Sequence, residues 1–210
     1  MRRADPVHQR RQKAKILDNA RRLFARDGYD RVSMDRLAAA CQLTKPALYY
    51  YYRNKRAVLL ATLQAHWTAQ AAVLEAFRPS ADLGQTLRTF AELVLRESRR
   101  PENSDIIRIV MAETGRRPEI GQAFFKVFGR PLEQKLVSFV GPHVGRRHSR
   151  RTVLALLHQF VGSLSHYSLM RQMFRAGKPH LPEQRTYVAL LVDGFLGLAM
   201  PSPTESRSRR

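Results

Sequence analysis

The chain has 210 residues, 44% of them apolar, enough to bury a core in one or two small domains. Its 37 Lys and Arg against 17 Asp and Glu leave a net charge of +20, which points to polyanionic partners, nucleic acid first and an anionic membrane surface second. A lone cysteine, Cys41, excludes an internal disulfide, no run approaches the ~18 apolar residues of a membrane span, and the basic N-terminus lacks the apolar stretch of a secretory signal.

Residues 1–8 read as an arm, whose Arg2 and Arg3, with Arg10 and Arg11 beyond, either follow a phosphate backbone or form a solvated tail. A first helix is expected from about Gln9 to Arg26, with Ile16, Ala20, Leu23 and Phe24 as its apolar stripe and Asp27-Gly28 as its end. Ser33 to Lys55 then reads as two short helices and a tight turn. Ser33 caps the first, whose Met34, Leu37, Ala38 and Cys41 share one apolar face. Gln42-Leu43 forms the turn, Thr44 caps the second helix, and Pro46 falls in its first turn, where a missing N–H costs little. Four consecutive tyrosines, Tyr49 to Tyr52, exceed what so short a helix can bury. Leu48 and Tyr52 can pack inward together, leaving Lys45, Ala47, Tyr49, Tyr50 and Tyr51 outward beside Arg53 and Lys55. Phenol hydroxyls, lysines and helix N-termini bind phosphate oxygens, and a short helix carrying them fits a DNA major groove. An aromatic patch for protein contacts is the alternative.

This stretch resembles the DNA-binding head of the tetracycline-repressor (TetR) family of bacterial regulators. The resemblance lies in Leu43 to Tyr49, the aromatic Tyr52, and Arg53-Asn54-Lys55-Arg56 opening the next helix, with Ile16, Leu17, Ala20, Leu23, Phe24 and Gly28-Tyr29 upstream. Family members usually carry Gly where Gln42 stands, and many have His where Tyr50 or Tyr51 stands, so base preference does not carry over. Helix geometry and the resemblance together imply a DNA-binding set of Ser33, Thr44, Lys45, Pro46, Ala47, Tyr49, Tyr50, Tyr51 and Lys55. Lys45, Ala47 and Tyr51 are expected nearest base edges, with Ser33, Tyr49, Tyr50 and Lys55 on phosphates.

The remaining chain reads as helices over about 54–77, 81–99, 105–114 and 118–140, with Gly129 and Pro131 kinking or splitting the last. Gly141 to Ser149 reads as a loop on composition, 151–176 and 182–200 as two long closing helices, and 201–210 as a disordered basic tail. The fold class is all-α, about nine helices: a three-helix helix-turn-helix head over 1–55 and a larger regulatory and dimerisation domain over 56–200. The closing helices are apolar on more than one face and carry Gly162, Ser163, Ser165, Gly194 and Gly197, which favours a helix–helix dimer over a pair buried inside one subunit. Family members commonly dimerise through their last two helices.

Asp105 to Phe125 also resembles the regulatory domain of the AefR-like subgroup. Domains of this kind usually hold a small apolar or amphipathic ligand between helices; Trp67, Phe90, Met111, Phe124, Phe128, His158, His166, Tyr167 and Met170 are the candidates, each with plain core packing as the alternative. The histidines make no HxxxH pair and no cysteine cluster joins them, so neither metal nor cofactor is expected; no phosphate-binding or nucleophile motif suggests an enzyme. The resulting expectation is a cytoplasmic homodimeric repressor on a palindromic operator, released by a small ligand. Its rivals are an activator or ligand-independent regulator of the same fold, and a basic helical protein binding anionic membrane or nucleic acid non-specifically.

Overall fold

A computed structural model describes residues 6–144, 148–173 and 181–200. Arg2 and Arg3 of the arm, the middle of the 141–149 segment, the expected end of the 151–176 helix, His180 and the 201–210 tail lie outside the described residues. Ten α-helices and one π-helical turn make up the described secondary structure, with no strand among the described residues: α1 Pro6–Asp27, α2 Met34–Cys41, α3 Lys45–Tyr51, α4 Lys55–Ala76, α5 Leu83–Ser98, α6 Pro101–Glu113, α7 Pro118–Phe124, the π turn Phe125–Gly129, α8 Arg130–Val144, α9 Arg150–Met173 and α10 Gln184–Ala199. The run α7–π–α8 is unbroken, so the helices number nine when it counts once.

Three boundaries differ from the sequence reading, each for a local reason. Helix α6 starts at Pro101 rather than Asp105, because proline at the first helical position gives up only an N–H that would be orphaned anyway. The irregularity expected at Gly129 and Pro131 is a π turn that ends at Gly129, and a Cβ there would stand 2.9 Å from the Phe125 ring. The expected loop at 141–149 begins late: α8 continues through Pro142 to Val144. Val140 and Val144, four apart and both buried, gain about 1.5–3 kcal/mol each, which offsets a proline penalty of about 3 kcal/mol.

Packing divides the chain into two compact units that interleave along the sequence. The first takes residues up to Val73 together with Pro101–Gly129; the second takes Leu74–Arg100 and the residues from Arg130 on. In the first, Ile16, Ala20 and Phe24 of α1 meet Leu37 and Cys41 of α2, Leu48 of α3, Leu59, Leu63 and Trp67 of α4, and Ile106 and Ile109 of α6. Arg21 is buried on α1 and is bonded to Asp105 of α6 and, at 2.7 Å, to Asp18. A buried guanidinium is tolerable only with such partners. By length and composition α4 could cross a membrane, the one such helix among the described residues, contrary to the sequence reading. Its Val58, Leu59, Leu63 and Trp67 are instead buried in this core.

The second unit packs α5, α8, α9 and α10 around Leu87, Phe90, Leu136, Val140, Leu157, Phe160, Leu164, Val192 and Phe195. Helix α9 buries Val153, Leu157, Phe160, Leu164 and Tyr167 in steps of three and four, a single stripe. Helix α10 buries Val188, Val192, Phe195 and Ala199, leaving Leu190 65% and Leu198 51% exposed.

Candidate functional site

Between α1 and α4 the chain builds a helix-turn-helix. Ser33 Oγ accepts the Arg36 N–H at 3.1 Å, and Thr44 Oγ1 accepts the Ala47 N–H at 3.3 Å, so both N-caps are satisfied by side chains. The turn has Gln42 in the left-handed region, φ 59°, the one non-glycine residue with positive φ among the described residues. There the Leu43 N–H reaches the Ala38 carbonyl at 2.9 Å and the Gln42 N–H reaches Ala39 at 3.0 Å, the paired closure that glycine usually supplies. The turn therefore keeps the geometry glycine would give, with Gln42 Oε1 held by Lys15 Nζ at 2.9 Å.

Helix α3 is anchored by Leu48, which is fully buried, while Tyr49 is 43% and Tyr50 71% exposed. Tyr51 and Tyr52 are half-buried and packed against the core, and burial pushes the Tyr52 phenol up. Tyr51 stands edge-on to Tyr50 at 5.2 Å and is less outward than its sequence position suggested. Ser33, Thr44, Lys45 and Pro46 are exposed and Ala47 is half-buried. Three polar ties hold this face. Gln9 Nε2 donates to the Tyr50 hydroxyl at 3.2 Å, Lys15 holds Gln42, and Lys45 Nζ sits 3.0 Å from Asp35, whose hydrogen bond and charge raise its pKa. Lys55 plays a different part. Its Nζ donates to the carbonyls of Tyr29 at 2.8 Å and Asp30 at 3.3 Å and lies 4.2 Å from the centre of the Tyr29 ring, while burial pushes its pKa down. Two of its three N–H groups are thereby engaged.

Arg10, Arg11 and Lys13 on α1 and Arg53 after α3 make no ion pair among the described residues. Cys41 is buried on the core side of α2, and burial pushes its thiol up, as suits a small packing residue. The sequence reading missed Gln9 and Asp35 as members of this face. Asp35 carried a readable signal, the acid in the first turn of α2.

The nine ligand candidates do not gather in one place. Trp67, Met111, Phe124 and Phe128 belong to the first unit; Phe90, His158, His166, Tyr167 and Met170 belong to the second. Trp67 and Phe128 both pack on Phe124, with ring centres 5.4 and 5.7 Å apart, and Phe90 packs on Phe77. Met111 is 61% exposed, because α6 buries Ile106 and Ile109 and residue 111 falls on the opposite face. His158 and His166 are exposed for the same reason on α9. The second unit holds a pocket of about 320 Å³ at the C-terminal ends of α5 and α9 and the start of α10. Of the nine, only Tyr167 lines it; Ser168, Arg171 and Gln172 were missed, although polar residues three and four apart on an apolar helix mark a common face.

Residues 16–62 match the family described as bacterial regulatory proteins, tetR family, and residues 85–198, more than half of the chain, match the C-terminal domain of AefR-like transcriptional repressors. The chain belongs to the tetR family of bacterial regulatory proteins. Among curated tetR-type relatives, the biofilm operon icaADBC negative transcriptional regulator IcaR of Staphylococcus epidermidis is 41% identical over 46 residues, 22% of this chain and 25% of that protein. An HTH-type transcriptional repressor of Mycobacterium tuberculosis is 35% identical over 66 residues, 31% of this chain and 35% of the relative. This chain thus spans about a third or less of these relatives' length. The tetR-type fold extends further: the solved flavonoid-responsive regulator FrrA superposes with TM-score 0.68 at 23% identity over 91% of this chain and 98% of that one. The fatty acid degradation regulator FadR of Bacillus halodurans superposes with TM-score 0.66 at 13% identity, over 96% and 99%.

Proposed function

We propose that this tetR-family regulator is a homodimeric repressor that binds a palindromic operator in double-stranded DNA and is released by a small ligand. The observation that carries the reading is α3: side-chain-capped, anchored by Leu48, and presenting Lys45, Tyr49 and Tyr50 beside cations without acidic partners. Repression is favoured over activation by the relatives described as negative regulators. Residues 1–55 are the DNA-binding part and 56–200 the part that carries ligand and dimer. The packing units cut across that division because α6 and α7 bury Ile106, Ile109 and Ile120 in the core that α1 and α4 share.

Dimerisation through α9 and α10 is supported by their outward face. Leu190 and Leu198 are exposed there, and among the described residues no atom beyond the helix's own backbone lies within 4 Å of where a Cβ would stand on Gly162, Gly194 or Gly197. Small residues that no neighbour within the chain requires suit close approach by a second copy. The ligand acts by population shift, favouring a dimer whose reading helices no longer match the half-site spacing. Chromosomal DNA as partner places the working protein in the cytoplasm.

The test is a nuclease footprint on the DNA flanking the protein's own gene, repeated across salt concentrations. A discrete protected palindrome is expected, with affinity falling steeply as salt rises, since each neutralised phosphate releases counterions. Uniform coating of any DNA, or equal binding to anionic vesicles, would replace this reading with that of a non-specific basic protein.

A further inference from the structure

The 320 Å³ pocket of the second unit is built from donors. Ser168 lines it, is 7% exposed, and has a hydroxyl oxygen without a hydrogen-bond partner. Arg171, one helical turn on, gives one N–H to the Tyr167 hydroxyl at 3.0 Å, and Arg99 gives one to Gln184. Neither arginine has an acidic partner among the described residues. Gln172 spends its amide N–H on the Ser98 carbonyl at 3.0 Å. Leu95 and Tyr167 supply apolar surface. A guanidinium can only donate, so the group these arginines would receive is an acceptor, and two exposed guanidiniums with no acidic partner among the described residues favour an anion. The adjoining groove between α5 and α10 is lined by Arg88, Arg96, Arg99, Arg185 and Glu92; Arg88 pairs with Asp193 at 3.3 Å and Arg96 stands 3.9 Å from Glu97, so Arg99 and Arg185 are the cations that extend the field. The volume lies at the low end of ligand pockets and exceeds what a bare inorganic ion fills.

We infer that this pocket takes a small organic acid, its carboxylate held by Arg171, Arg99 and the Ser168 hydroxyl and its apolar body against Leu95 and Tyr167. This deepens the ligand-released reading above and rests on it for the consequence in DNA binding. The Tyr167 hydroxyl that accepts from Arg171 also donates to the Pro182 carbonyl at 2.9 Å, just before α10. The Tyr167 ring stacks on Tyr187 of α10 at 4.2 Å, and the Tyr187 hydroxyl donates to the Ser163 carbonyl of α9 at 2.7 Å. A carboxylate that draws Arg171 toward itself therefore acts on the residues that set α10 against α9, the pair assigned to the dimer.

Calorimetry on the full chain with benzoate, phenylacetate and octanoate, each beside its neutral amide, and with inorganic phosphate, tests the assignment. At least one carboxylate should bind about tenfold or more tighter than its amide and than phosphate, the worth of a charge-assisted hydrogen bond. Arg171→Gln and Arg99→Gln should each weaken it by a similar factor, with circular dichroism and melting as folding controls. Amides binding as well as acids, phosphate binding as well as either, no binding across the panel, or affinity unchanged in both variants would overturn it. Operator occupancy is read separately. An acid that binds through Arg171 and leaves occupancy unchanged keeps the pocket and overturns its coupling to DNA. Absence of any operator footprint overturns the regulator reading and leaves the pocket standing.

Discussion

Gln42 holds a left-handed conformation that costs a side-chain-bearing residue about 1–2 kcal/mol, and it recovers only an exposed hydrogen bond from Lys15. Gln42→Gly should therefore stabilise the protein by about 0.5–1 kcal/mol after glycine's own entropic cost, raising the melting temperature by ~1–4 °C. A lower melting temperature would mean that the Lys15 tie outweighs the backbone strain. Tyr49 belongs to the same scale. As a phosphate contact its hydroxyl carries no sequence information, so Tyr49→Phe should weaken operator and random DNA by similar factors in a gel-shift titration. A change in the preferred base would move Tyr49 from the backbone to the base edges.

At the scale of elements, α1, α4 and α6 meet around a partly buried imidazole. His66 of α4 faces Arg21 of α1 and Glu102 and Asn103 of α6; burial first, then the Arg21 charge, holds its pKa below the ordinary value near 6.5. The unfolded chain therefore takes up a proton at pH values where the folded chain does not, and stability rises with pH across that window. His66's part in stability is fully present above about pH 6.5 and is lost as pH falls below it toward the depressed folded value. The denaturant midpoint should drop more between about pH 7.5 and pH 5.5 in the wild type than in His66→Gln. Equal drops would show that another group governs the acid response.

In the proposed dimer, operator binding depends on two reading helices fixed about 34–36 Å apart, one turn of DNA, because a single recognition helix covers only a few base pairs. Gly194 separates that requirement from folding. Among the described residues, no atom beyond the helix's own backbone lies within 4 Å of its missing Cβ, so leucine there meets no clash with them, yet it stands on the face of Leu190 and Leu198. Gly194→Leu should give a folded, helical protein that sediments as monomer, melts independently of protein concentration and no longer protects the operator. A dimer of undiminished affinity would move the interface off this face.

The helix-turn-helix was legible because its signals are local: Ser33 and Thr44 as caps, Pro46 in a first turn, and apolar spacing at Met34, Leu37, Ala38 and Cys41 act within a few residues of one another. Helix class and the outward Tyr49 and Tyr50 followed from the same periodicity. What only the tertiary structure decided are pairings between distant segments. The join of α6 and α7 to α1 and α4 through Arg21–Asp105 and Trp67–Phe124 has no local signature, and neither does the commitment of Lys55 to the carbonyls of Tyr29 and Asp30. The same holds for the donor-lined pocket, which gathers Arg99 and Arg171 from positions 72 residues apart. A periodic stripe says that a helix buries one face; only the packed chain says which partner receives it, and therefore which polar groups remain for a ligand.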